Sequence, residues 1–92
     1  MTMGRAEFFD ELADVLTDRE DQYGRPTRLF DEIARIWTVI LSFEVEPEQV
    51  ALCMIGVKLA RLSNNWSHAD SIKDVAGYAA ILSQLVNEAR AK

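Results

Sequence analysis

Residues 47–62 read PEQVALCMIGVKLARL, and from Val50 to Val57 no charged group interrupts the run. Two helical turns without a polar side need cover all round, so this segment is expected at the centre of a helical bundle. A β-strand is the competing reading of an apolar run. The segment is too long for one and is not enriched in β-branched residues. Pro47 suits a first helical position, where a backbone N–H has no helical partner anyway. Past the first turn the only charges are Lys58 and Arg61.

Working outward, the preceding segment from about Thr27 to Ser42 repeats Phe30, Ile33, Ala34, Trp37, Ile40 and Leu41 at intervals of three and four. Arg28–Glu32 and Asp31–Arg35 are i,i+4 ion pairs suited to its wet side. Before it, a helix from about Arg5 to Gln22 carries Phe8 or Phe9, Leu12, Val15 and Leu16 on one stripe. Gly24 and Pro26 stop that helix, one by adopting a left-handed cap and the other by lacking an N–H. After the central helix, Ser63 to Ser67 reads as a loop with Ser67 as the next cap. A fourth helix from about His68 to Ala89 aligns Ile72, Val75, Ala76, Ala79, Leu82, Leu85/Val86 and Ala89. The short loops make successive helices antiparallel neighbours. The expectation is one all-α domain over 1–92, an antiparallel bundle of three to four helices with a central apolar third helix.

A chain of 92 residues has a thin core, able to bury roughly 60–65% of its unfolded surface. Apolar residues make up 49% of it, enough to leave some for a partner, most simply another copy, and an even-numbered homo-oligomer is expected. Cys53 stands alone inside an apolar run, so it reads as a buried thiol in a reducing compartment. No stretch is long and apolar enough to span a bilayer, and the acidic start lacks signal-peptide features. The host-cell cytoplasm is the expected location. Net charge is −5, all of it attributable to residues 1–22, which hold seven acids against Arg5 and Arg19. With no contiguous basic stripe, duplex nucleic acid is not an expected partner.

Lys58 and Arg61 share one helix face, while Asp70 and Asp74 share a face of the next helix, with Tyr78 a turn further on. Around a short loop the two faces can meet. One outcome is an internal salt-bridge cluster that offsets the cost of burying the cations. The other is a site where the cations hold phosphate and the aspartates take ribose hydroxyls or a metal. Arg19 and Tyr23, also i,i+4, offer an anion clamp and a stacking ring, or simply pack against the second helix. Gly77, mid-helix, costs about 1 kcal/mol against alanine and implies close approach of a helix or ligand. Glu7, Glu11, Asp14 and Asp18 form a carboxylate stripe that ordinarily is a solvated face. His68 lacks the partners that zinc or catalysis would need. Trp37 reads as core and Trp66 as exposed.

Taken in order, Arg19-x-x-x-Tyr23-Gly24, Phe30-x-x-Ile33-Ala34-x-x-Trp37, Lys58-x-x-Arg61 and Asp70-x-x-x-Asp74-x-x-Gly77-Tyr78 resemble a family of small uncharacterised phage-encoded all-α domains, from about Asp18 to Ile81. The layout is distantly similar to phage nucleotide-modification-associated domains and, behind them, to MazG-like nucleoside triphosphate pyrophosphohydrolases. The resemblance implies a phage or prophage origin and an affinity for nucleotides. It does not extend to catalysis: the Glu-Glu-x-x-Glu helix that holds Mg²⁺ in MazG-like enzymes has no counterpart here, and Glu11-x-x-Asp14 falls on the wrong helix.

The leading expectation is a non-catalytic phage accessory protein that binds a nucleotide-type phosphorylated ligand through Arg19, Tyr23, Lys58, Arg61, Asp70, Asp74 and Tyr78. It would sequester a host defence signalling nucleotide or serve phage nucleotide metabolism, with no cofactor. One alternative is a Mg²⁺-dependent pyrophosphohydrolase using Asp70 and Asp74. Another is an acidic helical module that blocks a host protein.

Overall fold

A computed structural model describes residues 4–91 as four helices: α1 (Arg5–Tyr23), α2 (Pro26–Leu41), α3 (Pro47–Asn64) and α4 (Ala69–Ala91). No strand occurs among the described residues. The all-α expectation holds, with helix ends within about two residues of their sequence positions. The helix stops are chemical. Gly24 adopts φ 83° and donates its N–H to the Glu20 carbonyl at 2.8 Å, a geometry costly for a residue with a Cβ. Pro26 and Pro47 then open α2 and α3.

Thr38 organises the turn between α2 and α3. Its hydroxyl donates to the Ala34 carbonyl at 2.8 Å and accepts the Val45 N–H at 2.9 Å. That closure brings Val45 into the core once Ser42 has ended α2 in the left-handed region. At the start of α3, the Gln49 side-chain oxygen accepts the Glu46 N–H at 2.8 Å, one half of a capping box.

Phe30, Ala34, Val45, Val50, Ala51 and Leu85 form the buried core, flanked by Ile33, Trp37, Met54, Tyr78, Ile81 and Leu82. The most extensive interface joins α3 to α4, followed by α2 with α3. Helix α1 rests on α4, where Leu16 and Leu12 cross Gly77. A Cβ at Gly77 would stand 3.7 Å from Leu16 Cδ2, an ordinary contact, so the crossing there is close but leaves room for a methyl group.

Four expectations need correcting. The inner side of α3 is sealed, with Val50 and Ala51 at 0% exposure, but the helix is not covered on every side. Leu52, Val57 and Leu59 are about half exposed, and the Cys53 thiol is exposed rather than buried. An unbroken apolar run does not by itself mean cover on every side. On α4, Ser71 is buried while Ile72 and Ala79 are exposed, so the inward arc is rotated from the one read off the apolar residues. His68, not Ser67, is the cap: its Nδ1 accepts the Ser71 N–H at 3.2 Å and lies 2.8 Å from the Ser71 hydroxyl. Ser67 instead donates its N–H and hydroxyl to the Asn65 side-chain oxygen.

Candidate functional site

Because α1 meets α4 along few residues, the two helices leave a groove of about 580 Å³ between them, closed at one end by the start of α2. Its apolar lining comes from Leu12, Val15 and Leu16 of α1, Leu29 and Phe30 of α2 and Ile81 of α4. Tyr78 also lines the groove, its ring packed against Phe30 with centroids 6.1 Å apart. Its charged lining is Arg19 and Glu20 from α1 and Asp70, Lys73 and Asp74 from α4.

Asp74 is the hub of the charged lining. Lys58 reaches it from α3, Nζ to Oδ2 at 3.1 Å, and both side chains are largely buried, at 16% and 20% exposure. Arg19 lies on its other oxygen at 3.9 Å, with 60% of its own side chain exposed. The cost of burying the Lys58 ammonium is thus offset inside the chain. The Arg19 guanidinium is held at one edge and open at the other. Tyr23 lines the groove at 77% exposure, and Asp70 is exposed and makes no ion pair among the described residues.

Five of the seven candidate residues therefore line one groove: Arg19, Tyr23, Asp70, Asp74 and Tyr78. Lys58 joins them through Asp74. Arg61 stands apart, exposed and outside the groove lining. The expected meeting of the α3 and α4 charges is real for Lys58 and Asp74, and it is a salt bridge.

Lys73 escaped the sequence reading although its spacing announced it. Positions 70, 73, 74 and 77 fall on one helix face. Lys73 pairs with Glu11, which ties α1 to α4 and removes Glu11 from the solvated stripe; Glu7, Asp14 and Asp18 stay exposed. Arg25 pairs with Glu88 at 2.6 Å and pins the α1–α2 corner to α4. Among the described residues no three His, Cys, Asp or Glu side chains converge where a metal ion could be held. Nor is any helix among them long and apolar enough to cross a membrane.

Residues 9–86 match the model of a domain of unknown function, DUF6378, a span that contains every candidate residue. The chain belongs to this family. Outside the family model, this DUF6378 chain is 35% identical over 71 residues to the Gene 55 protein of Mycobacterium phage D29, covering 77% of the chain and 47% of that protein. It is 37% identical over 68 residues to the Gene 55 protein of Mycobacterium phage L5, covering 73% of the chain and 44% of that protein. The chain thus spans about half the length of the curated relatives it matches. They support a small phage domain, as the motif order suggested, and neither their name nor the family description states an activity. No solved structure matches the chain.

Proposed function

We propose that this domain binds a nucleotide-type phosphorylated small molecule in the α1–α4 groove and does not transform it. In that role it serves phage infection, by sequestering a signalling nucleotide of host defence or by handling nucleotides for the phage. The observation that carries the reading is a groove lined both by apolar side chains with a tyrosine ring among them and by charged ones with a half-open guanidinium. Its volume falls within the range of small-molecule sites, roughly 300–1,000 Å³. A nucleotide combines the same two chemistries, a flat ring and a phosphate. In this reading Arg19 grips phosphate with its planar fork, and Tyr78 or Tyr23 meets the base. Asp70 takes hydroxyls. Lys58 offsets the charge of Asp74 beside Arg19. Arg61 lies outside this set.

The motif likeness to nucleotide-modification and MazG-like domains supports the same ligand class. The reading also makes the chain a homo-oligomer, because a small buried core accompanies many exposed apolar side chains.

A thermal-shift panel of mono-, di-, tri- and cyclic nucleotides tests it. A ligand at about ten times its Kd adds about 1.4 kcal/mol, a rise of roughly 6–11 °C for a domain of this size. Arg19→Ala is expected to abolish the rise and Arg61→Ala to leave it. No rise with any nucleotide, or equal rises in the two variants, contradicts the assignment. Pyrophosphate release from any triphosphate with Mg²⁺ would replace binding by catalysis.

A further inference from the structure

We infer that the groove selects its ligand by charge, taking a nucleoside phosphodiester and turning away 5′-triphosphates, with Glu20 as a discriminating side chain. This rests on the nucleotide reading of the same groove and adds to it the form of the phosphate.

Of the cations in or behind the groove, Lys58 and Lys73 are already engaged. Lys58 is held by Asp74 at 3.1 Å, and Lys73 is paired with Glu11. Both side chains are mostly buried, at 16% and 24% exposure. Neither can turn to a ligand without leaving a carboxylate unpaired. Arg19 is the open one: its contact with Asp74 is long, at 3.9 Å, and 60% of its side chain is exposed. A guanidinium fork takes two oxygens of one phosphate. A phosphodiester has two non-bridging oxygens and a single charge, which that fork satisfies. A terminal phosphate brings a third oxygen and about −1.5 to −2 at pH 7.

The surroundings oppose that surplus. Glu20 and Asp70 line the groove, are exposed and make no ion pair among the described residues. With Asp74 they set three carboxylates against Arg19 and Lys73 on the lining. Counting the paired Lys58 and Glu11 adds one charge of each sign and leaves the lining negative. The α1 side continues that sign, since residues 1–22 hold seven acids against Arg5 and Arg19. Such a field tolerates one charge gripped by a guanidinium and repels a polyanion. Glu20 can be changed without touching the contacts proposed for the ligand. Its carbonyl receives the Gly24 N–H at 2.8 Å, a backbone bond that glutamine keeps.

Isothermal titration calorimetry of the full chain in EDTA tests this. Adenosine, guanosine, cytidine and uridine are each supplied as the 3′,5′-cyclic monophosphate, the methyl ester of the 5′-monophosphate and the 5′-triphosphate. The methyl ester carries one charge on an open ribose, so it separates charge from ring closure. For a base that binds, both singly charged forms are expected to bind about tenfold or more tighter than the triphosphate, on the scale at which opposed like charges reject a partner. Glu20→Gln is expected to narrow that ratio roughly threefold, the scale of one exposed charge pair. Affinity that is equal across the forms, or rises with the number of phosphates, overturns the charge selection and leaves nucleotide binding in place. A ratio unmoved by Glu20→Gln overturns Glu20 as a discriminating side chain. No binding by any form overturns the nucleotide reading and this inference together.

Discussion

Lys58 and Arg61 sit three residues apart and have different fates. Lys58 is tied to Asp74 and largely buried, whereas Arg61 is exposed. Removing one partner of a fully buried pair costs about 3–5 kcal/mol, and partial exposure with Arg19 near Asp74 lowers that to about 2 kcal/mol for Lys58→Ala. Arg61→Ala should stay within about 0.5 kcal/mol of wild type. Urea unfolding checks both, and equal losses would contradict the pairing. The two cations look alike in sequence because their spacing shows a shared face without showing its edge. Acids beyond the core tell a second story. Glu44 beside Glu46 holds the Glu46 carboxyl above the ordinary glutamate value, first by its charge and then by a hydrogen bond between the carboxyls. A carboxyl raised in the folded chain favours the fold at low pH, and that contribution is lost as pH rises through the raised value. Glu44→Gln should therefore lower the Glu46 midpoint toward the ordinary range in an NMR titration. The variant should also gain stability over wild type as pH rises through that interval. An unmoved midpoint would show that Glu44 is not the cause.

At the scale of the helix, α1 differs from the rest. It is held by Leu12 and Leu16 over Gly77 and by the Glu11–Lys73 and Arg19–Asp74 pairs, while α3 and α4 share the main interface. Few buried contacts mean cheap local opening. Hydrogen exchange should therefore find α1 amides roughly tenfold or more less protected than those of Val50 and Ala51. Equal protection would mean that α1 opens only with the whole fold. Helix limits were legible because Gly24, Pro26 and Pro47 act through local backbone chemistry. The Arg28–Glu32 and Asp31–Arg35 pairs were legible for the same reason and are present at 3.7 and 3.0 Å. The rotation of α4 was not. It puts the polar Ser71 inside, a burial that apolar periodicity does not register.

For the whole molecule, sequence supplied residue faces but not how they meet. Arg19, Tyr23, Asp70, Asp74 and Tyr78 were picked out as two separate pairs and a tyrosine, and only the packing of α1 against α4 gathers them into one groove. The size of that groove and its apolar lining follow from the sparse α1–α4 contact, which no local pattern encodes. Likewise the apolar run of α3 pointed to enclosure, and the enclosing surface is left open by the chain itself. The acidic first helix and the neutral remainder leave Arg19 as the open cation of the groove, which makes it the natural reporter of anion binding. The most direct test of the central claim is a two-dimensional amide NMR titration with the nucleotide that gives the largest thermal shift. Binding in the groove predicts saturable shifts concentrated at Arg19, Tyr23, Asp70 and Tyr78, with Arg61 and Trp66 unmoved. Shifts centred on Arg61 and Trp66, or none anywhere, would contradict it.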